Sequence, residues 1–519
     1  MSLKTKVMVW EEWGKASFAR SVLEKKPVLL ALNFDELLTQ PEIKAVIRGR
    51  FIPIRLERED RPDIYHRYGA AGHALLMLSS HGEVLAEAAF APAQALDKRL
   101  TRLADSYAPA APSRKPQAKP VWTGAVGVAV LSSLDPEGPL KILASLKSRR
   151  AALHEVPGAL DLLLYAAAEW RDKEALRRLI QELSALVENG CSDKSLVFNA
   201  ALARFFWEAY AFTRIELFQD AGRKVAGFLL DELHEPDKGV FKSAPGKPVY
   251  YTDANAMAAV ALLRAAPFWE QRRCRAAADK VLRFLEEEMY DPLLGMIHKR
   301  SPGGPLVYGL LGDNAWTVLA FTDSFQINGK KEHREFADAI IRFLFQELWE
   351  RERGGFLDRI VQADDVEALK SPAFASLEHN AVACEGLWRL HHLKGNPNYG
   401  RWLEWALKSL SSLAPVGHAL VPLARVQDML ARGRMDLELV GRLGDAATDA
   451  LLCSVHRHYV PRKIISFIDP DDQDYILAHK LKASSYPRLF GCVDLKPKID
   501  ADSPDRVSGL LDLLEQPRV

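Results

Sequence analysis

Hydrophobic positions in the middle of this chain recur on two clocks. The first runs inside segments. The stretches containing Ala221 to Leu233, Ala276 to Met289 and Phe336 to Leu348 place apolar residues three and four positions apart, on one helix face, and share the cores Val225-Ala-Gly-Phe-Leu, Val281-Leu-Arg-Phe-Leu and Ile341-Arg-Phe-Leu-Phe. The second runs between segments. Gly239-Val-Phe, Gly295-Met-Ile and Gly355-Phe-Leu each close a turn after such a helix, at spacings of 56 and 60 residues. Asn-Ala then opens a second helix at Asn199, Asn255, Asn314 and Asn380, with spacings of 56, 59 and 66. Fixed periods of this length mark stacked supersecondary units. Twelve helical segments follow, beginning near Thr123, Gly158, Lys173, Lys194, Ile215, Thr252, Phe268, Gly312, Glu332, Leu377, Pro397 and Pro415. The odd-numbered ones carry a charged face and the even-numbered ones are apolar nearly all round. Six hairpins with an outer and an inner ring, an all-α (α/α)6 toroid, are predicted over residues 121–435.

Outside this region the period changes. Pro27 to Leu32, Phe51 to Leu56, Ala74 to Leu78 and Val84 to Phe90 are short apolar runs, with a hairpin turn at Ser79-Ser-His-Gly82 and helical stretches between the earlier runs. The order β-α-β-α-β-β-α predicts an α/β thioredoxin-like domain over 1–106. A linker of four prolines, 107–120, follows it. From Asp436 the chain alternates a strand at Leu437 to Val440, a helix at Asp445 to His458 and a strand at Ile464 to Ile468, a small α/β region over 436–519. The protein is therefore expected to be multidomain.

Composition removes partners rather than naming one. Lys+Arg 69 against Asp+Glu 68 in 519 residues gives a net +1, so no field directs the chain to nucleic acid or to a membrane surface. No signal-like or membrane-spanning run is present, which predicts a cytoplasmic protein. Five scattered cysteines, at 191, 274, 384, 453 and 492, read as reduced thiols. His391-His392 and His456-Arg-His458 lack a second ligand pair, so neither a metal nor another cofactor is expected. Gly441-Arg-Leu-Gly444 lacks the third glycine of a dinucleotide fingerprint.

Connector length points to the working face of the toroid. Turns from inner to outer helices are short, whereas Tyr290 to Leu311 and Arg351 to Ser376 are long, and long connectors in compact domains are usually functional. They deliver the chain to the N-termini of the inner helices. The candidate catalytic residues there are Asp253, Asp313 and His379, and the candidate substrate-binding residues are Asn199, Asn255, Asn314 and Asn380. Carboxylates and amides suit the paired hydrogen bonds of a polyol, and an imidazole can move a proton beside a carbonyl. Asn and Asp at helix starts also serve as ordinary caps. Tyr250, Tyr251, Tyr308, Trp316 and Phe374 could stack on a sugar ring or belong to the core.

Trp10-Glu-Glu-Trp13, the Lys26-Pro27 strand entry and the run from Phe51 through Glu57-Arg-Glu-Asp-Arg-Pro-Asp63 resemble the spermatogenesis-associated thioredoxin-like family. The resemblance implies a thioredoxin-like domain ahead of a six-hairpin glycosidase-like toroid similar to sugar 2-epimerases. It also exposes a departure. That family carries Cys-His-Trp-Cys after the first strand, where Leu32-Asn-Phe-Asp-Glu-Leu-Leu-Thr39 has no cysteine, and disulfide exchange needs a thiolate. The N-terminal domain is expected to be redox-inactive, with Glu57 to Asp63 a solvated strand exit. Two functions remain: a sugar epimerase or isomerase acting on a sugar-like small molecule, or a non-catalytic sugar-binding or protein-interaction scaffold. A protein partner would use the thioredoxin-like domain.

Overall fold

The computed structural model describes residues 9–108 and 138–514, apart from 33–37, 39, 69–73, 88–92, 149–152, 154–155, 157, 190–192, 300–306, 353, 363–364, 371–375, 414–419 and 494–495. The expected helix near Thr123, most of the linker and of the segment Asn33 to Thr39, Cys191 and Phe374 lie outside the described residues. The chain divides into two compact units, Met1–Trp122 with Leu357–Ser376, and Thr123–Phe356 with Leu377–Val519.

In the first unit, helix α1 (Lys15–Glu24) precedes β1 (Val28–Leu32), α2 (Pro41–Arg50), β2 (Ile52–Leu56), α3 (Pro62–Tyr68), β3 (Ala74–Leu78), β4 (Val84–Glu87) and α4 (Ala93–Asp105). The sheet order is β2-β1-β3-β4, with β1 parallel to β2 and antiparallel to β3. This is the thioredoxin-like order expected from the apolar runs. Strand β1 is buried along its whole length, as a central strand covered on both faces must be.

The segment Leu357–Ser376 belongs to this unit, although the sequence assigns all of 121–435 to the helical domain. Val366 and Leu369 join the core of Trp13, Leu30, Ile54 and Ile64. Arg359, 4% exposed, places Nε 3.2 Å from Asp63 and donates to Asp365 Oδ1 at 2.8 Å. Asp63 also accepts two bonds from Arg61, at 2.8 and 3.0 Å. Asp63 is thus buried rather than part of a solvated exit. Although burial opposes its charge, Arg61 and then Arg359 bring its pKa down to about 2.

Asp358 lies in the same segment with no cation paired to it among the described residues. Burial, with the Asp63 charge nearby, pushes its pKa up to about 7, against the pull of the Ser376 N–H that it accepts. A folded pKa above the unfolded one means that folding is favoured by protonation and that stability falls as pH rises between about 4 and about 7. Asp358→Asn keeps an oxygen for Ser376 and removes the charge. It is expected to stabilise this unit by about 1–2 kcal/mol at pH 8 and by nothing at pH 4. Hydrogen-exchange protection of β1 and β3 at the two pH values measures this, and a pH-independent difference would refute it.

The second unit contains α5 (Gly138–Ser148), α6 (Ala159–Glu169), α7 (Lys173–Asn189), α8 (Leu196–Thr213), α9 (Glu216–Phe228), α10 (Thr252–Ala265), α11 (Gln271–Glu288), α12 (Leu311–Asn328), α13 (Lys331–Phe343), α14 (Leu377–Lys394), α15 (Pro397–Leu413) and α16 (Val421–Arg432). The even-numbered helices pack in sequence and α16 returns to α6, closing an inner ring; α7, α9, α11, α13 and α15 each pack outside the inner helix before them in sequence. This is the (α/α)6 toroid. In α12, 16 of 18 residues are buried, as an inner helix covered on every side requires.

Between outer and inner helices the chain makes small β turns: β5 (His234–Glu235) with β6 (Val240–Phe241), and β7 (Tyr290–Asp291), β8 (Gly295–Lys299) and β9 (Val307–Tyr308). The chain ends with β10 (Met435–Val440), α17 (Ala446–His456), β11 (Lys463–Ile468), α18 (Gln473–Ala478), β12 (Arg488–Val493), β13 (Lys496–Ala501) and α19 (Pro504–Leu514). Its sheet order β11-β10-β12-β13, with β10 parallel to β11 and antiparallel to β12, repeats the topology of the first unit. Among the described residues no helix is long and apolar enough to cross a membrane. The described cysteines 274, 384, 453 and 492 are buried free thiols.

Candidate functional site

The Asn-Ala signature is a clip. Asn255 Oδ1 accepts the Phe241 N–H at 2.8 Å while its Nδ2 donates to Phe241 O and Tyr251 O. Asn314 Oδ1 accepts from Met296 N at 3.2 Å and its Nδ2 donates to Leu310 O; Asn380 makes both bonds with Phe356, at 2.8 and 2.9 Å. Asn199 Nδ2 donates to Asp193 O and Ser195 O. In the last three repeats, each amide therefore ties the chain just after the glycine turn to the start of an inner helix. An unpaired buried backbone N–H is costly, and the amide oxygen supplies the acceptor for Phe241, Met296 and Phe356, which accounts for asparagine at these positions.

Asp253 and Asp313 occupy the first turns of α10 and α12, where the helix dipoles favour negative charge. They meet. The Asp253 N–H donates to Asp313 Oδ1 at 3.1 Å, and Asp253 Oδ1 accepts the Ala254 N–H at 2.7 Å. A third residue joins them from β8: His298, 1% exposed, donates from Nδ1 to both oxygens of Asp313 at 2.9 and 3.1 Å, with its ring 5.1 Å from that of Tyr251. His379, half-buried at the start of α14, lies against Gly312. A Cβ there would come within 2.9 Å of its imidazole, so a larger residue would push the ring aside. Asp253 is half-buried, and burial followed by the neighbouring Asp313 charge holds its pKa above the usual carboxylate range.

Sequence reasoning missed His298. Its signal was the repeat register: it stands three residues after Gly295, where the neighbouring repeats place Lys242 and Asp358. Asp253, His298 and Asp313 could offer three ligand atoms within 4.8 Å of one another, the only group of this kind found among the described residues. His298 Nδ1 and both Asp313 oxygens are joined by hydrogen bonds, and the Asp253 N–H adds a second bond to Asp313 Oδ1.

Below this cluster the inner ring encloses a cavity of about 240 Å³. Met257 lines it one turn after Asp253 on the same face of α10, and Trp316 one turn after Gly312 on α12. Further along the helices the wall is charged. Asp161, Arg204, Glu208, Arg264, Asp323, Arg389, Glu385 and Arg425 alternate in sign from α6 round to α16, linked at 2.8, 3.2, 3.3, 2.8, 2.8 and 2.9 Å, the last link being Arg425 with Glu385. Asp161 and Arg425 attract each other across the remaining gap. The C-terminal region supplies the far wall through His456, His458, Tyr459, Val460, Pro461 and Lys463. Lys463 Nζ donates to Val455 O and His458 O, and burial, with Arg264 adding to it, pushes its pKa down to about 7.

No family model matches the chain. Mouse spermatogenesis-associated protein 20 is 24% identical over 217 residues, which cover 39% of this chain and 27% of that protein; the human protein is 22% identical over 216 residues, covering 37% and 26%. The chain resembles spermatogenesis-associated protein 20. The likeness agrees with the family resemblance carried by the residue motifs, and it spans only about a quarter of the length of spermatogenesis-associated protein 20. Among solved structures, a family 105 glycoside hydrolase from C. acetobutylicum aligns with TM-score 0.47 and 13% identity over 57% of this chain and 99% of that one. A cellobiose 2-epimerase from Spirochaeta thermophila aligns with TM-score 0.36 and 15% identity over 46% and 70%.

Proposed function

We propose that the toroid acts on a sugar-like small molecule as an epimerase or isomerase, moving a proton at the carbon beside a carbonyl. The observation that supports this is the meeting of Asp253, Asp313 and His298 at one point, with His379 lying against Gly312 beside them, at the N-termini of the inner helices. The chemistry needs a base and an acid in one place. In this reading His379 takes the proton from the carbon, and Asp253, whose pKa is raised by burial and by the Asp313 charge, is the acid that donates to the carbonyl oxygen to give an enediol. Once the enediol has turned its other face to His379, return of the proton from His379 to that carbon and of the enediol O–H proton to Asp253 completes epimerisation and restores both groups. Asp313, fixed by His298, orients Asp253 through its backbone N–H.

A second reading, a non-catalytic binding scaffold, draws on the Asn clips and on the full engagement of Asp313. Exchange of C2 protons for deuterium in a panel of free hexoses and N-acetylhexosamines separates the two. The expected result is exchange with at least one sugar, slowed by Asp253→Asn and by His379→Ala. Absence of exchange with every sugar leaves the scaffold reading.

A further inference from the structure

Asp253, His298 and Asp313 are a set of metal donors as well as a hydrogen-bonded cluster. Two carboxylate oxygens and one imidazole nitrogen lie within 4.8 Å of one another, and they come from three elements, α10, β8 and α12. His298 Nδ1 is already 2.9 and 3.1 Å from the Asp313 oxygens. Ligands held at about 2.0–2.2 Å by a tetrahedral ion stand about 3.3–3.6 Å apart, so the set closes onto one ion by side-chain movements of about 1–1.5 Å. Asp253 Oδ1 accepts the Ala254 N–H, which leaves Oδ2 with no hydrogen bond among the described residues. Asp253 is half-buried, whereas Asp313 and His298 are each 1% exposed. An ion would therefore enter past Asp253 and be held by the two buried groups.

The charge of the set selects its occupant. Two carboxylates this close in a largely buried place repel each other, and the N-termini of α10 and α12, at roughly +0.5 each, offset only part of their two negative charges. The place attracts a cation. Mg²⁺ and Ca²⁺ prefer oxygen ligands alone, whereas Zn²⁺ takes imidazole beside carboxylate and is content with three protein ligands and a water. We propose that Asp253, His298 and Asp313 form a binding site for one divalent transition cation of the Zn²⁺ kind, with water as its fourth ligand. On binding, His298 Nδ1 gives up its hydrogen and the ring carries one on Nε2 instead, so the imidazole stays neutral. The site does not depend on the epimerase reading, but it bears on it. A bound cation takes Asp253 as a ligand, so the proton donor of that reading exists only in the cation-free chain, and exchange is expected to stop on loading.

The test is calorimetric titration of the full chain, freed of metal by chelation, with Zn²⁺ and, for comparison, Mg²⁺. Wild type is expected to bind one Zn²⁺ at this site and Mg²⁺ far more weakly. Asp253→Asn and Asp313→Asn should bind Zn²⁺ roughly tenfold or more weakly, since losing even an outer partner of a metal ligand costs about 10–100-fold. Asp253→Asn keeps the shape of a half-buried side chain, and it decides the matter if Asp313→Asn melts far below wild type. Zn²⁺ should also raise the melting temperature of wild type more than that of either variant. Zn²⁺ binding unchanged in both folded variants places the ion elsewhere and overturns the site, and so does a wild type that binds no Zn²⁺. Deuterium exchange at C2 is then compared in loaded and metal-free protein. Exchange that stops on loading supports the site and the reading together. Exchange that persists in loaded protein removes Asp253 as the donor and leaves the cation site standing, and Zn²⁺ binding without exchange in either form overturns the epimerase reading alone.

Discussion

Arg389→Ala is expected to cost the helical unit about 3–5 kcal/mol, the usual loss when one member of a buried ionic network is deleted. Arg389 is the link between α12 and α14. Its Nη1 donates to Asp323 at 2.8 Å and its Nη2 to Glu385 at 2.9 Å. Without it, Asp323 retains Arg264 and Glu385 retains Arg425, but the belt becomes a buried net anion. Glu385 shows how strong the local field is: against the penalty of burial, Arg425 and then Arg389 bring its pKa down to about 2. A depressed carboxylate pKa contributes stability that is present above about pH 4 and is lost as pH falls toward 2. The variant should therefore lose stability at pH 7 and differ little from wild type near pH 2. Hydrogen exchange of α12 and α14 at pH 7 reads this as at least a hundredfold faster opening, and unchanged protection would show that the belt bears no load. Arg389→Lys keeps the charge without the fork, and should fall between the two.

That belt was invisible in the sequence, and the reason is physical. Its members are spread from Asp161 to Arg425, and each alone reads as an isolated charge on an otherwise apolar inner helix. Only closure of the ring brings those charges together, so the pattern of signs exists in space and not along the chain. The ring itself was legible because periodicity is a local property: the inner helices are apolar nearly all round and the outer ones on one face. Asp253, Asp313 and His379 were legible as polar neighbours, one or two residues ahead of the repeated asparagines and not themselves repeating, although what they touch was not. His298 escaped because a short strand in an irregular connector offers little pattern. The inclusion of Leu357–Ser376 in the first unit escaped for the same reason, since Val366 and Leu369 resemble any two apolar residues of a long loop.

Gly295→Ala should be the most damaging substitution in the repeat turns, costing about 2–4 kcal/mol by combining backbone strain with overpacking. Gly295 has φ +73°, and a Cβ added to it would overlap the Phe343 ring. Phe343 is 3% exposed at the end of α13, so it has no space into which to withdraw. Gly246 provides the control. It has φ +75°, but a Cβ added there would meet nothing within 4 Å, so Gly246→Ala should cost only the backbone strain, about 1 kcal/mol. The difference between the two variants isolates packing against Phe343, and a Phe343→Leu background should shrink it, as contacting residues are not additive. Equal losses for both glycines would mean that the repeat needs glycine for its turn alone. A larger loss at Gly295 would mean that the turn also seats the next hairpin, because Met296, the residue that follows, is the one clipped by Asn314 at the start of α12. The glycine and the asparagine would then be two halves of one joint, and the period shared by the glycine turns and the Asn-Ala helix starts would be the spacing of that joint round the ring.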